Sequence, residues 1–234
     1  MKIKNVEKTS MVDFPPYISC VVFLAGCNFN CPFCYNKSLI DINDNSLPDI
    51  DKDEFLYWLS GRKGKLDAVT ISGGEASIHG DDLIDFAKGI KSLDFKLKLD
   101  TNGTNPDIIK RMIDNNLVDY IAVDIKSDYE GYDAACGTKV DISKIKETIK
   151  LLEESPIEYE FRTTVVPGLH TEDTLKRIIG YFSKPVKYAI QQFKPISTNN
   201  PTYEKIIPFT DGEMEKFKAD MELLKTAANI EFRR

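Results

Sequence analysis

No stretch of the chain is apolar for long enough to cross a bilayer. The longest such run, Ile18 to Ala25, is short and is interrupted by Ser19 and Cys20, so no membrane association is expected. The opening residues, Met1 to Glu7, carry charge with no apolar segment behind it, so a secretory signal is not expected and the cytoplasm is the expected compartment. A basic surplus is missing as well. Lys and Arg number 31 against 37 Asp and Glu, a net charge of -6, which argues against a nucleic-acid partner. There is no internal repeat, low-complexity tract or Gly/Ser-rich linker, so 1–234 is expected to form a single domain. Cysteine is scarce and odd in number: Cys20, Cys27, Cys31, Cys34 and Cys136. A disulfide framework would be even in count and spread along the chain, whereas cysteines clustered in a cytosolic protein point to a metal or to redox chemistry.

Short runs rich in β-branched and aromatic residues predict strands at Tyr17 to Ala25, Ala68 to Ser72, Phe95 to Leu99, Tyr120 to Val123, Glu158 to Val166 and Tyr188 to Phe193. Helix starts are marked between and after them. Asp51 with Glu54 forms a capping-box pattern, Asn105-Pro106 places a cap before a first-turn proline, Thr171 precedes an apolar stripe, and Thr210 is followed by Glu213. Six strands alternating with helices predict parallel βα units joined by right-handed crossovers. Six units cannot close an eight-stranded barrel. The pattern therefore leaves two architectures open, a flat doubly wound sheet and an incomplete barrel with a lateral opening. In both, ligands gather beyond the carboxyl ends of the strands.

The first predicted strand runs into Gly26-Cys27-Asn28-Phe29-Asn30-Cys31-Pro32-Phe33-Cys34-Tyr35-Asn36, a C-x3-C-x2-C loop. Its short intervals let three thiolates converge, and Gly26 and Pro32 suit a tight non-helical turn. A cubane iron-sulfur cluster ordinarily takes four cysteines. Here Cys20 lies in a strand and is expected to be a small buried side chain, while Cys136 lies far along the chain and is expected to be structural or incidental. Three ligands would leave one iron open to a substrate or cofactor. The competing reading is a structural zinc site with His79, His170 or Cys136 as fourth ligand. Both histidines adjoin helix starts, where exposed or capping roles are the simpler expectation.

Further residues fall at predicted strand ends: Ser72-Gly73-Gly74-Glu75, Asp100-Thr101-Asn102-Gly103 and Asp124-Ile125-Lys126. Glycines permit close backbone approach, and Glu75 would bring negative charge toward an ammonium. Asp100, Asp124 and Lys126 are as readily read as turn and surface residues, but together they also make an oxygen-rich cation site beside a carboxylate clamp.

The C-x3-C-x2-C loop after the first strand, joined by Gly73-Gly74-Glu75 after the second, resembles the signature of radical S-adenosylmethionine (SAM) enzymes. The resemblance extends to glycyl-radical-enzyme activases, above all to the activating proteins of anaerobic ribonucleoside-triphosphate reductase. It is carried by Lys8 to Pro15, Val21 to Cys27, Val123 to Lys126, Arg162 to Gly168 and Gln191 to Phe193. Pro16, where the family often has glycine, and Ala76, where proline is common, depart from it. The resemblance implies an α/β fold, an incomplete (β/α)6 barrel of the radical SAM type. It implies a 4Fe-4S cluster on Cys27, Cys31 and Cys34, with SAM held by Phe33, Tyr35, Gly73, Gly74, Glu75, Asp100, Asp124, Lys126 and Arg162. Gln192 is a weaker adenine-contact candidate, and a monovalent cation is expected near Asp100 and Asp124. Asp13 matches a residue that faces the protein substrate, although a turn aspartate is an equal reading. The implied reaction is reductive SAM cleavage that generates a glycyl radical on a partner enzyme, with flavodoxin or ferredoxin as electron donor. The alternative is a small-molecule radical SAM enzyme resembling 7-carboxy-7-deazaguanine synthase.

Overall fold

The computed structural model describes residues 1–224 and 227–233. Its strands are β1 (Ile3–Ser10), β2 (Ser19–Leu24), β3 (Ala68–Gly73), β4 (Lys96–Thr101), β5 (Tyr120–Asp124), β6 (Glu158–Val165), β7 (Val186–Gln192) and β8 (Ala227–Arg233). They follow one another across the sheet in chain order. The six predicted strands are β2 to β7, as the six-unit α/β architecture requires, and among the described residues β1 and β8 add a strand beside β2 and β7. Strand β1 runs antiparallel to β2, pairing Val6 with Val22, and β8 runs parallel to β7, pairing Ile230 with Tyr188. Charge hid β1. Asn5, Glu7 and Lys8 are exposed along it, as on protected sheet edges, while Lys4 is buried and pairs with Asp49 at 2.7 Å.

Helices α1 (Lys52–Ser60), α2 (Asp81–Ser92), α3 (Pro106–Asp114), α4 (Tyr132–Cys136), α5 (Ile142–Glu154), α6 (Glu172–Ile179) and α7 (Asp211–Glu222) connect the strands. The helix starts hold, but Asp51 caps α1 without the reciprocal Glu54 contact of a capping box and Asn105 changes its role. Asp51 accepts from the amides of Asp53 and Glu54, and Thr210 with Glu213 closes a reciprocal capping box. Asn105 stands at the N-cap of α3 without capping it, because its amide donates to the Ser77 carbonyl at 2.9 Å. None of the helices is long and apolar enough to cross a membrane among the described residues.

Contacts gather the chain into two units. The first comprises Met1–Asn28, Ser38–Ile121 and Ser155–Glu158; the second comprises Phe29–Lys37, Ala122–Glu154 and Tyr159–Arg234. In the first, Val22, Leu24, Ile71, Leu97 and Leu99 are buried along β2 to β4, and Phe55 of α1 meets Phe86 of α2 at 5.6 Å between ring centres. In the second, Phe161 stacks on Phe182 at 4.6 Å, and the buried Tyr188 hydroxyl donates to Thr163 Oγ1 at 2.6 Å. Burial of such aromatic side chains supplies most of the local cohesion, with stacking adding roughly 1 kcal/mol per pair.

Candidate functional site

In the first unit the functional residues cluster where β2 and β3 end. Gly26 leaves β2 with φ +96°, and the amides of Gly26 and Cys27 donate to Leu39 O at 2.8 Å and Ile40 O at 3.0 Å. The Gly73-Gly74-Glu75 segment lies flat against this exit. Gly74 N donates to Leu24 O at 2.8 Å and Glu75 N to Gly26 O at 2.7 Å. A Cβ on Gly73 would stand 2.4 Å from Leu24 N, and one on Gly74 would stand 2.1 Å from Gly26 O. Both glycines are thus required by the chain's own backbone, a use that the expectation of close approach to SAM did not include.

Glu75 has a structural task of its own. It is fully buried, and its carboxylate accepts from Ser77 N, Ser77 Oγ, Thr101 Oγ1 and Asn102 N at 3.0, 2.6, 2.6 and 2.6 Å. Burial pushes its carboxyl above the usual range, opposed by the Ser77, Thr101 and Asn102 donors. Its carboxylate organises the turns after β3 and β4. Asn102, so positioned, donates to Asn28 Oδ1 at 2.8 Å, and Asn28 donates to Thr104 Oγ1 at 2.8 Å. His79 is half-buried with Nε2 2.9 Å from Ala25 O, a support to the same loop. Asp13 closes its own turn, accepting from Ser10 Oγ at 2.5 Å, while Lys98 reaches the Asp13 carbonyl and the Asp100 carboxylate at 3.4 Å.

The second unit holds Cys31 and Cys34 in a tight turn, with Cys34 N donating to Cys31 O at 3.1 Å. The loop packs on α4: Phe29 meets Tyr132 edge-on at 6.5 Å and Asn30 N donates to Cys136 O at 2.8 Å. Gly137 has φ +64°, and a Cβ there would fall 2.2 Å from Asn30 O. A hydrogen bond with the Cys136 side chain, aided by the Lys126 charge, pushes the Cys31 thiol down to about 7 against the opposing effect of burial. Burial pushes the Cys34 thiol up, and Cys20, inside β2, is pushed up to about 12 for the same reason. Phe33 is buried, while Tyr35 is partly exposed, stacks on Phe193 at 6.2 Å and accepts from Lys194 N at 2.6 Å.

At the end of β5 and within β6, Asp124, Lys126 and Arg162 come together. Arg162 Nε donates to Asp124 Oδ1 at 2.8 Å and Lys126 Nζ to Asp124 Oδ2 at 3.2 Å. Burial alone would raise the Asp124 carboxyl and lower the Lys126 amine; the facing charges reverse both, holding the carboxyl well below and the amine well above their usual ranges. Asp124 thus holds two cationic side chains side by side, groups of the kind that bind a ligand carboxylate. Each of the two carboxylates named for a monovalent cation faces a cationic side chain of its own unit, Asp100 that of Lys98 and Asp124 those of Lys126 and Arg162. Gln192 spends its side-chain amide on Phe209 O at 2.7 Å.

His170 was expected to be exposed or capping, and the structure corrects this. It is buried, accepts from Val166 N through Nδ1 at 2.9 Å and donates through Nε2 to Lys126 O at 2.8 Å. Nothing in the local sequence marks this long-range contact. Among the described residues no group of three or more His, Cys, Asp or Glu side chains is arranged to hold a metal ion. The donor set still fits an iron-sulfur cluster. Iron takes thiolates, and the Cys31 thiol is pushed down toward that state in a glycine- and proline-shaped loop.

A family model of the radical SAM superfamily matches residues 21–180. The protein MJ1227 of Methanocaldococcus jannaschii, which carries the provisional name of a glycyl-radical enzyme activating enzyme, is 33% identical over 92% of this chain and 89% of its own length. The pyruvate formate-lyase-activating enzyme of Clostridium pasteurianum is 28% identical over 72% of this chain and 70% of its own. Among solved structures, Streptococcus suis SuiB bound to S-adenosylmethionine gives a TM-score of 0.67 at 11% identity over 92% of this chain and 52% of SuiB. This chain thus spans about half the length of SuiB. QueE from Escherichia coli gives 0.51 at 16% identity over 81% of this chain and 84% of QueE. At these identities the structural likenesses establish the α/β fold alone. With two thirds of its length matched by the family model and a relative one third identical across nearly the whole of it, this chain belongs to the radical SAM superfamily, whose enzymes work with a 4Fe-4S cluster and SAM.

Proposed function

We propose that the chain activates a glycyl-radical enzyme, most specifically an anaerobic ribonucleotide reductase, drawing electrons from flavodoxin or ferredoxin. The observation that carries this reading is the C-x3-C-x2-C loop in a chain that aligns over 92% of its length with a relative named for that activity. Cys27, Cys31 and Cys34 are the proposed cluster ligands. When bound, the cluster and SAM supply one-electron cleavage of a sulfur-carbon bond and a radical able to take hydrogen from a glycine Cα. The chain's part is to bind and orient. Lys126 and Arg162, sharing Asp124, offer cationic groups to the SAM carboxylate, with Phe33 and Tyr35 beside the cysteines. Gly73, Gly74 and Glu75 fix the course of the segment facing the cysteine loop's first residues, and Asp100 completes the polar end of β4. Asp13, on a turn flanked by the exposed Met11 and Val12, is the proposed contact to the protein substrate.

The test is anaerobic reconstitution followed by assays of iron, sulfide and SAM cleavage, then electron paramagnetic resonance of the reductase from the same source. Alanine at Cys27, Cys31 or Cys34 is expected to abolish cluster and cleavage together. Stoichiometric zinc without iron-dependent cleavage rejects the cluster. Efficient turnover of a small metabolite with no glycyl radical on any candidate enzyme rejects the activase reading.

A further inference from the structure

The cysteine loop is held by a segment that neither the motif nor the comparisons assign. Residues Thr198, Asn199 and Asn200 follow β7 by a few positions and lie along the loop as a strap. Asn199 N donates to Cys34 O and Asn200 N to Pro32 O, both at 2.9 Å. The Asn199 side-chain amide adds contacts to Asn30 Oδ1 at 2.8 Å, Cys31 O at 3.2 Å and Asn30 O at 3.4 Å. Its two protons are thereby shared among three acceptors. The strap is itself braced. Thr198 is fully buried and donates to Asn200 O at 2.8 Å, and Asn200 Oδ1 caps the single helical turn Pro201–Lys205. Lys194 N, donating to Tyr35, ties the upstream end to the same loop.

We propose that Asn199 is a positioning residue for cluster binding, holding the Asn30-to-Cys34 backbone in the shape that aims Cys31 and Cys34 at one cluster. The inference rests on the reading of those cysteines as ligands. A short loop with Pro32 inside it has several turn conformations of similar energy, and only some of them converge the sulfurs. Carbonyls of successive loop residues, fixed from outside by one amide, leave one of them. Groups that orient metal ligands in this way typically change metal retention by roughly 10–100-fold when removed. Aspartate in place of Asn199 keeps the shape, deletes both amide protons and sets negative charge against carbonyl oxygens that had accepted them.

The test compares the wild type with N199D, N199A, C31A and, as a neighbour that does not touch the loop, T202A. Each protein is reconstituted anaerobically and its iron is drawn off by a ferrous chelator well below the unfolding temperature. Paramagnetic resonance of the reduced cluster and thermal unfolding of the metal-free protein are recorded alongside. N199D is expected to release iron about tenfold faster or more, with an altered resonance line shape. T202A is expected to stay within about twofold of the wild type, since its hydroxyl bonds only to Asn200 Oδ1, at 2.9 Å. If N199D does not fold, N199A reads the same loss without the added charge. Iron release from the Asn199 variants at the wild-type rate, or no faster than from T202A, overturns the strap. Full iron retention by C31A overturns the ligand reading beneath it, and C31A losing the cluster while N199D keeps it overturns the strap alone.

Discussion

Replacing Arg162 by glutamine isolates the energetics of the charged site. The Arg162 and Asp124 side chains are 11% and 29% exposed, so their 2.8 Å pair belongs with buried ion pairs and not with surface ones. Removing one partner of a buried pair costs roughly 3–5 kcal/mol. Here Asp124 retains Lys126 at 3.2 Å, which lowers the expected cost of R162Q to about 2 kcal/mol. With a urea slope of about 3 kcal/mol/M, the unfolding midpoint of metal-free protein should fall by about 0.7 M. The pH dependence follows from the direction of the Asp124 shift. A carboxyl held below its ordinary value contributes stability above the unfolded pKa of about 3.9 and loses it as pH falls through the folded value. In R162Q burial is opposed by Lys126 alone, so the carboxyl titrates higher and protonation relieves the variant first. The gap between wild type and R162Q should therefore be wider at about pH 7 than at about pH 4.5, and D124N/R162Q should recover part of the loss. A cost below about 0.5 kcal/mol, or a gap that widens on acidification, refutes the argument.

Gly74→Ala places a methyl against the Gly26 and Leu39 carbonyls, which are backbone and cannot turn aside, so a loss of about 3 kcal/mol or more in urea unfolding is expected. Gly212→Ala, in the first turn of α7 with open space around it, should instead gain roughly 0.5 kcal/mol in the same measurement. Cys20→Ala should retain wild-type iron content after reconstitution, because that thiol is sealed inside β2 and held protonated.

Where a residue's role is set by its neighbours in sequence, the chain was legible. Strands β2 to β7 announce themselves by apolar runs, and the cysteine loop by the spacing of Cys27, Cys31 and Cys34. Strand β1 did not, because its edge position is filled with charge, and β8 did not, because Asn229, Glu231 and Arg233 interrupt its apolar residues. In the site, Asp124 and Lys126 could be gathered by the rule that ligands bind at strand ends, and Arg162, inside β6, by the family resemblance. The partners of Glu75, 26 and 27 positions away at Thr101 and Asn102, carry no local mark. Nor does Asn199, whose contact with Asn30 spans 169 positions. The ring of His170 stands beside a helix start, as expected, yet serves the carbonyl of Lys126 44 positions upstream.

Of the charged residues that the resemblance marks for SAM, those whose capacity is already spent work differently from those with charge to offer. Glu75 accepts four hydrogen bonds inside its own unit, so its removal is felt by the fold. In E75Q one carboxylate oxygen becomes an amide facing a donor, Asn102 N–H or the Ser77 and Thr101 groups. A buried donor left unsatisfied costs roughly 1–3 kcal/mol, which should appear as a lower urea midpoint of metal-free protein. Lys126 is the opposite case. It shares Asp124 with Arg162 and is the proposed contact of the SAM carboxylate. K126M should raise the SAM dissociation constant of reconstituted protein by about tenfold, the scale of one charge-assisted hydrogen bond. The unfolding midpoint should change less than in E75Q, because Arg162 still pairs with Asp124. Isothermal titration and urea unfolding of the two variants give the decisive contrast. Wild-type stability of E75Q with SAM affinity lost would show that its carboxylate serves the ligand directly, and would overturn the division of labour between the two residues.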